Sequence, residues 1–78
     1  MAMTPKNILL RLGYTLPNDN KSCTMKELRR AFLNAGYGPN KASKWINAYA
    51  QEGIIKDLNE RNDNGELLFT CDWWVSYV

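Results

Sequence analysis

The sequence predicts a small α+β domain, three helices followed by an antiparallel β-hairpin, and three local signals carry that expectation. Thr24-Met25-Lys26-Glu27 has the form of a capping box, in which the threonine hydroxyl and the glutamate carboxylate satisfy free amides at a helix start. A later helical pattern ends at Gln51-Glu52-Gly53, where glycine suits a left-handed stop. Two apolar runs then flank Asn64-Gly65, a pair suited to the type I′ turn that matches the twist of a hairpin. At 78 residues the chain has the size of one domain, residues 1–78, with a single modest core.

The first helix should open at Thr4-Pro5, because threonine can cap free amides and proline at the first helical position loses no hydrogen bond. Ile8, Leu9 and Leu12 fall on one apolar face, and Gly13 is expected to stop the helix after two to three turns. Residues 16–21 read as a loop, and Ser22-Cys23 as a very short extended segment. In the second helix Met25, Leu28, Phe32 and Leu33 follow a helical period, while Lys26, Arg29 and Arg30 lie mostly elsewhere. Residues 34–39 supply a stop and a turn, with Asn40 or Gly38 available to cap the third helix. That helix, over 40–52, places Ala42, Ile46, Tyr49 and Ala50 on one side and Lys41, Ser43, Lys44 and Asn47 largely on the other. A strand over 54–58 pairs with its return over 67–71. The alternative is an all-helical domain with a disordered tail, which the Asn64-Gly65 signal opposes.

Charge is distributed unevenly along the chain. Up to Ala50 there are eight basic and two acidic residues, a net +6; from Gln51 onward there are two basic and six acidic, a net −4. The first part should attract polyanions and the second repel them. Apolar runs fall far short of the roughly 18 to 20 residues needed to cross a bilayer, and the N-terminus lacks the pattern of a secretory signal. A cytoplasmic protein is the expectation, and Met1 with the apolar ending fits a complete gene product.

The run from Gly38 through Lys41, Ser43, Lys44 and Trp45 to Glu52-Gly53-Ile54-Ile55, preceded by the helix that begins at Thr24, resembles the recognition helix and exit of winged helix-turn-helix regulators. The resemblance covers about residues 24–71 and rests on motifs generic to a very large superfamily. It implies double-stranded DNA as partner, with Asn40, Lys41, Ser43, Lys44 and Asn47 facing the major groove and Arg29 and Arg30 holding phosphates beside it. Against this stands the plain alternative that these are the solvated faces of amphipathic helices. The hairpin tip departs from the family pattern, with acids Glu60, Asp63 and Glu66 beside the single base Arg61. An acidic tip should not sit against phosphates and suits a basic protein surface instead.

Two functions therefore stand open. One is a small DNA-binding transcriptional regulator or excisionase-like architectural factor of the phage or mobile-element type, with a dimer formed through residues 73–78. The other is a protein-interaction module, such as a phage-encoded inhibitor or adaptor of a host protein, in which Glu60, Asp63, Glu66, Trp73, Trp74 and Tyr77 make the contact. Alternation along an extended segment would send Trp73 and Trp74 to opposite faces, one into the core and one outward. Trp45 could stack on a base or sugar, but closing the core against the hairpin is the preferred reading. In the family the short first strand commonly pairs with the returning strand, which would bring Cys23 and Cys71 near each other; two reduced buried thiols are preferred over a disulfide.

Enzyme readings fail on inventory: the chain has no histidine, no glycine-rich phosphate loop and no suggestive carboxylate pair. Two cysteines without histidine do not fill the usual zinc set, so no metal, cofactor or small-molecule substrate is expected.

Overall fold

The computed structural model describes residues 3–16 and 21–75. Helix α1 spans Pro5–Thr15 and is capped by Thr4, whose hydroxyl accepts from the Asn7 amide at 3.3 Å. Gly13 does not stop it. The glycine lies inside the helix and is buried, and the indole of Trp74 occupies the space that a side chain there would fill. The expected loop over 16–21 has Leu16 buried at its start; Pro17, Asn18, Asp19 and Asn20 lie outside the described residues.

Strand β1, Cys23–Thr24, leads directly into α2, Met25–Asn34. The capping box forms: Thr24 Oγ1 accepts from the Glu27 amide at 3.2 Å, and Glu27 Oε1 accepts from the Thr24 amide at 3.1 Å. The helix ends on Gly36 at φ 95, with Tyr37 N donating to Phe32 O and Gly36 N to Leu33 O. This is a Schellman stop, and the Phe32 and Tyr37 rings make its accompanying apolar contact edge to face at 5.5 Å. Leu33, expected among the apolar positions, is exposed.

Helix α3 spans Pro39–Gln51, with Gly38 rather than Asn40 at its cap and Pro39 at the first position. Ala42 and Ile46 are buried and Tyr49 half-buried, but Ala50 is exposed, because it lies about 100° round the helix from Tyr49. The exit repeats the Schellman geometry: Gly53 sits at φ 80, and Ile54 N donates to Tyr49 O.

Strand β2, Ile55–Arg61, continues past the expected end at Leu58 and pairs with β3, Leu67–Cys71. Asp57 is opposite Phe69 but Arg61 is opposite Leu67, so β2 carries two extra residues in a bulge. Asn59 adopts φ 56 there, and its amide donates to the Asp57 carboxylate at 2.8 Å. The turn is not type I′, which needs two central residues at positive φ. Only Gly65 has it (φ 81), and the loop closes through Gly65 N to Asn62 O and Asn62 N to Glu66 O, each at 3.0 Å. The Asn62 side chain holds the tip by accepting from Asn64 N and Glu66 N.

The antiparallel sheet has the order β1-β3-β2, with Cys23 opposite Phe69. A fourth helix, α4, occupies Asp72–Val75, so the expected extended ending is a helical turn and Trp73 and Trp74 do not alternate across a strand. Trp74 is 1% exposed, and its Nε1 donates to Leu9 O at 2.6 Å. Ile8 and Leu9 of α1, Leu28 and Phe32 of α2, Ile46 of α3 and Ile55 of β2 complete the centre of the core. Among the described residues no helix is long and apolar enough to cross a membrane.

Candidate nucleic-acid interface

With 3.6 residues per turn, Asn40, Lys44, Asn47 and Gln51 share the side of α3 opposite the buried Ala42 and Ile46, and Lys41 flanks them. All five are exposed, and neither lysine has a carboxylate within ion-pair distance among the described residues. Gln51 was missed in the sequence reading, although its spacing of four from Asn47 would have found it. Ser43 is half-buried on the flank of the helix and presents less to a ligand than its neighbours.

Arg29 and Arg30 are both exposed on α2 but point about 100° apart, so they do not form one phosphate clamp. Arg30 lines a groove with Arg11 and Leu12 of α1. It also lines a polar cleft of about 360 Å³, in which Thr24, Lys26 and Glu27 face Asn62, Asn64 and Glu66 of the hairpin loop. Glu60, Asp63 and Glu66 are exposed. The split of charge along the chain is therefore not a split in space, since the acidic loop returns beside Lys26 and Arg30.

Trp45 differs from the expectation, whereas of Trp73 and Trp74 one lies in the core and the other is partly exposed, as expected. Trp45 is 39% exposed and is no part of the core, because Ile46 takes the inward position one residue on. Its ring leans on Tyr49 with centroids 6.0 Å apart, and Tyr49 meets Trp73 edge to face at 5.7 Å. Lys6 Nζ lies 5.4 Å from the centre of the Trp73 ring. A continuous ladder thus runs from the edge of the polar face of α3 across α4 to α1. Trp74 is not available to a partner, since it is sealed beneath α1; Trp73 remains half-exposed, and Tyr77 lies outside the described residues.

Cys23 and Cys71 are buried and unbonded. Burial is the largest cause that pushes the Cys23 thiol up, to about 12, and it also raises Cys71. Tyr49 is raised first by burial and then by the negative charge of Glu52. Thiols held protonated in this way are poor nucleophiles and poor metal ligands. What the exposed face of α3 offers instead is two exposed cations and three side-chain amides, groups that bond phosphates and base edges. Compared with known proteins, the chain matches no family model, no curated protein and no solved structure.

Proposed function

We propose that the chain is a winged-helix DNA-binding protein that places α3 in the major groove. The observation that carries this reading is the outer face of α3, where Lys41 and Lys44, among the described residues, stand without carboxylate partners beside Asn40, Asn47 and Gln51. Lysine supplies phosphate neutralisation and asparagine or glutamine can bond adenine bidentately, so one helix face holds both backbone and base-edge chemistry. The order α1-β1-α2-α3-β2-β3, with β3 central, supports the same reading, since it is the order of a winged helix. The role that follows is a transcriptional regulator or an architectural factor.

The test is fluorescence anisotropy with a random-sequence duplex, repeated as salt is raised. Binding that weakens steeply with salt and is lost in Lys41→Ala with Lys44→Ala supports the proposal; no binding at low salt removes it. The ladder Trp45-Tyr49-Trp73 favours a second reading, a protein-interaction module, because half-exposed aromatic rings in a row are the usual anchors of protein interfaces. Under that reading the lysine substitutions leave function unchanged, and Trp45→Ala with Trp73→Ala abolishes it.

A further inference from the structure

We propose that the groove between α1 and α2 is a docking site for an acidic amphipathic helix of a partner protein. The groove has a volume of about 550 Å³ and lies away from the outer face of α3. Leu12 of α1, over the buried Ile8, forms one apolar wall, and Ala31 of α2 with Ala35 at the cap of that helix forms the other. The two alanines are what keep the space open, since a larger side chain at either position would fill it.

Arg11 and Arg30 lie at the rim, one on each wall. Among the described residues neither guanidinium has a carboxylate within ion-pair distance. The one acid that lines the groove, Glu27, is turned back onto Thr24, where its Oε1 accepts from the backbone amide and the hydroxyl at 3.1 and 3.2 Å. Among the described residues Arg11 donates to the Met3 sulfur, at 3.7 Å, and Met3 itself is tied down by Tyr37 Oη donating to its carbonyl at 2.8 Å. The groove is thus pre-formed, with apolar walls and two guanidinium groups that, among the described residues, form no ion pair.

That combination fits apolar side chains flanked by carboxylates on one helical surface, the pattern of an acidic amphipathic helix laid in a groove. The walls, helices of 11 and 10 residues, are about 15 Å long and match about three turns of a partner. Duplex DNA is a poor occupant, because a phosphate backbone has nothing to place against apolar walls. The inference goes beyond DNA binding by α3 and gives a duplex-bound molecule a separate means to hold an acidic protein.

The experiment uses the full chain and a fluorescein-labelled synthetic helix with leucine on one face and glutamate flanking it; the control has lysine in place of glutamate. The acidic probe should bind and the basic one should not. Arg11→Glu with Arg30→Glu should weaken binding by about tenfold or more. Ala31→Leu, which fills the groove without changing charge, should weaken it as well, with circular dichroism confirming that both variants fold. Lys41→Ala with Lys44→Ala should leave the probe bound, which separates this site from the α3 face. Absence of saturable binding, equal binding of both probes, insensitivity to the arginine and alanine substitutions, or displacement of the probe by duplex DNA would each overturn the proposal.

Discussion

The indole of Trp74 lies on the backbone of α1 at Gly13, in the space a side chain there would need, while its Nε1 donates to the carbonyl of Leu9 one turn earlier. The ring is therefore fixed at both its face and its edge. Gly13→Ala gains about 1 kcal/mol of helix propensity, but the methyl would overlap a ring that has no room to move, at about 1–3 kcal/mol. The expected result is a net loss and a melting temperature lower by several degrees, read by circular dichroism. A more stable variant would show that the ring can shift.

Thr24 both ends β1 and caps α2. Thr24→Ala removes the hydroxyl that the Glu27 amide uses, and should destabilise the protein by about 1 kcal/mol, while Thr24→Ser should keep most of that. Urea midpoints for the two variants decide it, and equal midpoints would mean that the cap contributes nothing.

The buried thiol of Cys23 makes stability fall at alkaline pH. Its folded pKa, pushed up to about 12, lies above the ordinary value of 9.0, so the folded state holds a proton that the unfolded chain releases. The contribution is fully present below pH 9 and declines as pH rises toward 12, with a slope of at most about 1.4 kcal/mol per pH unit from this group. Denaturant titrations between neutral pH and pH 11 should show the decline, and Cys23→Ala should flatten it. An unchanged slope in that variant would assign the effect to other groups.

Lys41 and Lys44 each neutralise one phosphate if α3 faces the groove, so removing both should make the salt slope of duplex binding shallower by about 2. Neutralising the hairpin acids as Glu60→Gln, Asp63→Asn and Glu66→Gln should tighten duplex binding, because the loop lies beside Lys26 and Arg30 and opposes a polyanion there. Weaker duplex binding in the triple variant would instead assign the acids a direct role.

Features decided by neighbours in sequence were legible before the structure. The Thr24 capping box and the stops at Gly36 and Gly53 depend on residues within one helical turn, and each formed as read. Gly13 has the same local appearance as a stop, but its conformation is set by Trp74, which no local pattern connects to it. The Asn64-Gly65 pair correctly marked a hairpin, yet the turn type depended on the bulge at Asn59 and on the Asn62 side chain. Trp45 and Ile46 are adjacent apolar residues, and only the direction of α3 against the sheet decided which turned inward. On the candidate interface, the lysines and asparagines of α3 and the 100° between Arg29 and Arg30 were legible from spacing, whereas the place of Arg30 in a groove against α1 and the ladder through Trp73 required the tertiary arrangement.

The central position of β3 also governs the order of events during folding. Cys23 and Thr24 have their strand partners at Phe69 and Leu68, and β2 pairs with the same strand. A folding chain can form its helices early, since their contacts are local, but β1 and β2 carry open edges until β3 joins them. The sheet therefore closes in a single late step when β3 joins it, and until then β1 and β2 keep the unpaired edges that favour self-association.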